Sequence, residues 1–208
     1  RQPRSTAPAG SPPEVLPLLD RLRRSALPVL VDCTAADGME ALYLEAFRRG
    51  IHVVAANKKP LVLPLERTAA VADGARRHLR AWHYETTVGA GLPVIETLRN
   101  LVATGDVVER IDGCLSGTLG FLCQELMAGS PLSVAVRTAR DRGYTEPHPR
   151  DDLSGLDVAR KALILARELG LSLELEDVAV EPFVEPSLLA ENDPERFLTP
   201  DTYFQHVL

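Results

Sequence analysis

A chain of 208 residues, 45% hydrophobic and 25% charged, is long enough for one large or two small domains and has the composition of an ordinary globular protein. The net charge of −6, with no block of like charges, argues against a nucleic-acid surface; no apolar run is long enough to span a membrane, and no signal-type apolar core opens the chain. Cys33, Cys114 and Cys123 are odd in number and lack CxxC spacing, which speaks against a disulfide framework or a zinc site and points to a reducing cytoplasm.

Residues 1–12, rich in Pro, Ser, Ala and Arg, read as a flexible lead-in. Leu16, Leu18, Leu19 and Leu22 recur at helical spacing and predict a helix over 13–26. Apolar runs with paired valines predict buried strands over 28–33 and 51–56, and a third strand is expected over 80–84. Helices over 37–50 and 61–79 separate them, Gly50 stopping the first. Such alternation implies a parallel sheet with crossover helices. Beyond it the pattern changes: a helix over 93–102, a strand over 107–114, and helices over 118–128 and 132–142. A long helix is expected over 152–169, closed by Gly170, and the alternation within 173–184 admits a further strand. The last 20 residues show no clear period. The expected fold class is therefore α/β: a partial Rossmann-type parallel sheet over 13–84, then an α+β substrate domain over 85–208, with the break near Tyr84. A full dinucleotide fold opens with a strand and GxGxxG; no GxGxxG occurs, and Gly89-Ala90-Gly91 alone means little.

The chain carries 20 arginines and only three lysines, Lys58, Lys59 and Lys161. A GC-rich genome explains the rarity of lysine but not where the three stand. Arginine cannot donate a proton near neutral pH, whereas a desolvated lysine can.

Five segments could carry chemistry. Val31-Asp32-Cys33-Thr34-Ala35 and Val53-Val54-Ala55-Ala56-Asn57-Lys58-Lys59-Pro60 end consecutive predicted strands, where ligands of open α/β sheets bind, so Thr34 and Lys58 could flank one crevice. On local pattern alone, a polar turn before a helix is the commoner meaning of Asn-Lys-Lys-Pro. The third segment runs from His83 to Pro93, a glycine-containing loop with one carboxylate, Glu85; it could hold a monovalent cation through oxygen ligands, or be a plain strand–helix turn. Cys114-Leu115-Ser116-Gly117-Thr118-Leu119 suits close approach to a small ligand, or an N-cap. The fifth, residues 143–161, is the strongest. Its prolines stiffen a loop, Asp151 or Asp152 can cap the next helix, and Asp157 and Lys161 share a helix face that is apolar on more than one side. An exposed pair of that spacing would be routine and worth only ~0.3–0.5 kcal/mol; the upstream carboxylates Glu146 and Asp152 favour a site.

In order and spacing these segments resemble the homoserine dehydrogenase family over roughly residues 28–190. The stretch 143–161 is the most specific, supported by Val-Gly-Ala-Gly-Leu-Pro at 88–93 and Leu-Ser-Gly-Thr at 115–118. Asn-Lys-Lys-Pro and Leu-Glu-Leu-Glu-Asp at 173–177 look closest to the dehydrogenase portion of fused aspartokinase–homoserine dehydrogenases. The resemblance implies interconversion of L-homoserine and L-aspartate 4-semialdehyde with NADP or NAD. It implies Lys161 as catalytic acid/base and Lys58 as a group that polarises the carbonyl or orders the cofactor. Glu146 and Asp157 would bind homoserine, with Asp152, Gly117 and Thr118 lining the pocket. Thr34 and Gly143 would touch the cofactor. Glu85, Val88, Ala90 and Leu92 would hold a sodium-type ion, and a cytoplasmic homodimer is implied. His148 stands where the family often has Asp. The missing glycine fingerprint and the family's further C-terminal part make the chain look truncated at both ends. Two other readings stay open: a noncatalytic dimerisation or binding module, and a different Rossmann-type dehydrogenase.

Overall fold

The structure, a computed structural model, describes residues 12–145 and 148–199. The described residues divide into two compact units, one of residues 12–108 with 163–175, the other of 109–145 and 148–162 with 176–199.

The first unit is built on a three-stranded parallel sheet. β1 (Val29–Asp32), β2 (His52–Ala55) and β3 (Trp82–His83) lie in sequence order, Val31 opposite Val54 and Val54 opposite His83. Helices α1 (Pro12–Leu22), α2 (Met39–Arg48), α3 (Leu65–Arg77) and α4 (Val94–Ala103) accompany it. The apolar residues of α2 recur at helical spacing, so one stripe carries Leu42, Tyr43, Ala46 and Phe47, all buried. These residues, Val53 and Ala55 of β2, and Val71 and Ala75 of α3 belong to the core. Alternation along the strands turns Val31 and Val54 outward. Trp82 is buried between Tyr43 and Tyr84, whose rings meet it edge-on at centroid distances of 6.1 and 4.9 Å. The predicted helix–strand order of this region holds, with shorter strands than expected.

The second unit is helical among the described residues: α5 (Gly117–Met127), α6 (Leu132–Asp141), α7 (Pro149–Leu153), the first turns of α8 (Leu156–Glu168), α9 (Pro186–Leu189) and α10 (Pro194–Phe197). Leu122, Leu132, Ala135, Val136, Ala139, Leu153, Leu188, Phe197 and Leu198 make its core.

Three local expectations need correction. Residues 107–114 form no strand: they lie exposed or half-buried with no ladder partner among the described residues, and a β segment is not stable without one. Residues 173–184 give a short 3-10 turn, Leu175–Asp177, in place of a strand. The long helix expected over 152–169 is two helices. Gly155, at φ +76°, breaks it with a left-handed residue that ordinary side chains avoid. Asp151 and Asp152 lie inside α7, which is capped by His148 Nδ1 accepting from Arg150 N at 3.2 Å. Ser154 Oγ accepts from Leu156 N at 3.3 Å at the start of α8. Gly170 closes α8 as predicted, with Leu171 N donating to Ala166 O at 3.1 Å.

Candidate active site

At the carboxyl edge of the sheet, the polar residue that organises the loops is Asp32. It closes an otherwise apolar strand and is 2% exposed, a burial that a carboxylate tolerates only when its oxygens are bonded. They are. Oδ1 accepts from Thr34 N at 2.8 Å and Thr34 Oγ1 at 2.7 Å; Oδ2 accepts from Tyr43 OH and from Asn57 Nδ2 at 3.3 Å. Burial, then the Asp32 carboxylate and after it Glu40, push the Tyr43 phenol well above its ordinary range. Asn57, also buried, donates at 2.9 Å to Ala36 O and accepts from Lys59 N at 3.0 Å. The loops after β1 and β2, which carry Thr34 and Lys58, are thus tied together at one edge of the sheet. Thr34 is exposed but its hydroxyl hydrogen is spent on Asp32. Lys58 is half-buried, and Lys59 pairs with Asp37 at 2.9 Å.

Beyond β3, Glu85 caps α4. Its two carboxylate oxygens accept from Ile95 N at 2.8 Å and Glu96 N at 3.0 Å. The turn that follows places Gly89 and Ala90 at positive φ, and the carbonyls of Val88 and Ala90 accept no hydrogen bond among the described residues. The Leu92 carbonyl accepts from Val94 N at 2.9 Å. Glu85 and these carbonyls offer oxygen donors only, the chemistry that hard cations take.

In the second unit, Lys161 on α8 reaches the loop before α5. Its Nζ donates to Leu115 O at 2.6 Å and lies 2.7 Å from Asp157 Oδ2; both side chains are more than four-fifths buried, at 16% and 19% exposure. That removes them from the class of routine surface pairs. Leu115 is placed by the residue after it. Ser116 is the N-cap of α5, its Oγ accepting from Leu119 N at 3.1 Å. Gly117 begins α5 in open space. Thr118 and Asp152 are buried against each other, Thr118 Oγ1 standing 2.9 Å from Asp152 Oδ1 and 2.7 Å from Tyr144 O. Gly143, at φ +70°, ends α6, and Tyr144 N donates back to Ala139 O at 2.9 Å. Glu146 lies outside the described residues.

Sequence reasoning passed over Asp32, Asn57 and Tyr43, although an acidic residue ending an apolar strand was a usable signal. The Leu115 carbonyl, as a backbone atom, had none.

A parallel sheet with bonded polar loops at its carboxyl edge defines an α/β protein of the nucleotide-binding type. The family model for the NAD binding domain of homoserine dehydrogenase matches residues 2–85, and that for homoserine dehydrogenase itself matches residues 93–200. The chain belongs to the homoserine dehydrogenase family. A bifunctional aspartokinase/homoserine dehydrogenase of Haemophilus influenzae is 49% identical over 168 residues, 81% of this chain and 21% of that protein. A Candida auris protein of unknown function superposes with a TM-score of 0.80 and 34% identity, over 96% of this chain and 58% of that one. A hyperthermophilic archaeal homoserine dehydrogenase solved in complex with NADPH gives a TM-score of 0.63 and 28% identity, over 73% of this chain and 48% of that one. The chain therefore spans about a fifth of the curated relative and about half of the solved proteins.

Proposed function

We propose that this chain carries substrate- and cofactor-binding parts of a homoserine dehydrogenase, interconverting L-homoserine and L-aspartate 4-semialdehyde with NADP or NAD. The observation that carries this reading is the Lys161 ammonium, buried, paired with Asp157 and seated on the Leu115 carbonyl.

A bound nicotinamide supplies or accepts the hydride at C4 of the four-carbon amino acid. The chain's own residues do the rest. In aldehyde reduction Lys161 gives a proton to the carbonyl oxygen as C4 is reduced, so no free alkoxide forms; in the reverse direction the neutral amine takes the hydroxyl proton. Asp157 and Glu146 recognise the substrate ammonium by charge-assisted hydrogen bonds. Gly117 lines the pocket with no side chain of its own, and Thr118 and Asp152 hold the surrounding loops. Thr34, Lys58 and Gly143 serve the cofactor. The donor set at the sheet edge suits the nicotinamide–ribose end of a dinucleotide; the glycine cradle for the pyrophosphate is not in this sequence. Glu85 with the carbonyls of Val88, Ala90 and Leu92 would hold a monovalent cation of the sodium type. Homodimerisation and a reducing, cytoplasmic setting complete the proposal; Cys33, Cys114 and Cys123 are all free thiols, and no described helix is long and apolar enough to cross a membrane.

The test is homoserine-dependent reduction of NADP or NAD by the purified chain, with calorimetric titration of NADPH alongside. Turnover or saturable binding of NADPH and homoserine supports the reading. A folded chain that binds neither is a noncatalytic module.

A further inference from the structure

Arg167 is the most heavily bonded arginine side chain among the described residues, and no role in the proposed chemistry has been given to it. It lies on the last turn of α8, six positions beyond Lys161, with its side chain 9% exposed. Nε donates to Leu173 O at 3.0 Å. One terminal nitrogen donates to Leu61 O at 2.9 Å, Leu63 O at 2.8 Å and Thr68 Oγ1 at 3.3 Å. The other meets Glu174 Oε2 at 2.8 Å, and Glu174 Oε1 accepts from Leu65 N, the first amide of α3, at 2.8 Å. All of these groups belong to the first unit.

The carbonyls it grips are those of the turn that follows Lys58. Lys58 O accepts from Leu61 N at 3.0 Å, and the 3-10 turn Lys59–Leu61 leads straight to the Arg167 contacts. Upstream, the backbone beside Lys58 is fixed by Asn57, which is bonded to Asp32 and Ala36 O. Lys58 therefore stands on a short span of backbone clamped at both ends, with Arg167 as the downstream clamp. A planar guanidinium can serve three carbonyls, a hydroxyl and a carboxylate at once because its donors form a rigid fork; an ammonium in its place is a compact point charge.

We propose that Arg167 is a positioning residue for Lys58, acting through the carbonyls of Leu61 and Leu63 to set where the Lys58 ammonium stands at the carboxyl edge of the sheet. It touches neither cofactor nor substrate. What this placement serves rests on the reading of Lys58 as a cofactor-ordering or carbonyl-polarising group; the placement itself does not.

With only three lysines in the sequence, the side chains can be watched one by one. The chain is labelled with lysine carrying 13C at Cε, and the three signals are assigned from single Lys→Arg variants. Arg167→Lys and Glu174→Gln are then compared with the parent, the extra lysine of the former being assigned by difference. The expected result is a displaced or broadened Lys58 signal in both variants, with the Lys161 signal unmoved, and NADPH affinity about tenfold weaker in Arg167→Lys, the scale of one lost charge-assisted contact. A Lys58 signal unchanged in a folded Arg167→Lys chain overturns the proposal. So does simultaneous displacement of all three signals in both variants, which would make the network a support of the whole fold. If the Lys58 signal moves while NADPH affinity holds, the positioning stands and the cofactor role of Lys58 falls.

Discussion

Two buried charges are held here in opposite ways. Asp32 is surrounded by donors within its own unit, whereas Lys161 keeps an acceptor on one side and a carboxylate on the other, a seat from which a proton can be delivered to a third group. Replacing Lys161 with Met removes the only proton-bearing group of that seat while keeping its apolar stem, so turnover should fall by about 10²–10⁴ with unchanged circular dichroism; a variant that retains turnover removes Lys161 from the chemistry. Tyr43 makes a second prediction. Its phenol, neutral and raised by burial, holds its proton in the folded chain above the ordinary tyrosine value of 10.0, where the unfolded chain releases it. The folded state then binds more protons than the unfolded one, so stability is intact below about pH 10 and falls as pH rises beyond it, by up to about 1.4 kcal/mol per pH unit from this group. Tyr43→Phe should flatten that alkaline slope in urea titrations while lowering stability at neutral pH by about 1–3 kcal/mol, because Asp32 loses a donor.

At the level of elements, two glycines that look alike in the sequence are set apart by space. A Cβ at Gly155 would come within 2.8 Å of Val180 Cγ1, at a φ that side chains avoid, so Gly155→Ala should lower stability by about 1–3 kcal/mol, measured by the midpoint of urea unfolding. At Gly117, on the first turn of α5, nothing lies within 4 Å. Gly117→Ala should leave stability level or raise it by up to about 1 kcal/mol, and a raised KM for homoserine would show that the vacancy serves a ligand. The same contrast explains what could be read from sequence. The helices and strands of the first 84 residues follow hydrophobic period, which local burial enforces. The break at Gly155 did not show, because the apolar stripe runs on through 152–169 and only the glycine's dihedral interrupts it. The expected strand over 107–114 had the residues but lacked a neighbour to pair with, a property no local window contains. At the site, Lys161 with Asp157 was legible from i,i+4 spacing. Arg167 was not, because one arginine among 20 announces nothing until its carbonyl partners, a hundred positions away, are seen.

Across the whole molecule, ligand binding and folding are linked. Any compound that binds the native chain stabilises it by mass action, about 2.7 kcal/mol at a hundredfold excess over Kd. NADPH should therefore raise the unfolding midpoint of the parent chain, and the gain should shrink in Arg167→Lys; a midpoint indifferent to NADPH would count against cofactor binding.

The sole tryptophan offers a way to see this in one half of the chain at a time. Trp82 sits in the first unit, edge-on to two tyrosines, with its indole N–H buried and unpartnered among the described residues. Away from water its emission is blue-shifted, and Tyr43 and Tyr84 are close enough to feed it excitation energy. The second unit has no indole, so a denaturation curve followed by fluorescence reports the sheet alone, and comparison with a helix signal reveals whether the two units melt together or in sequence.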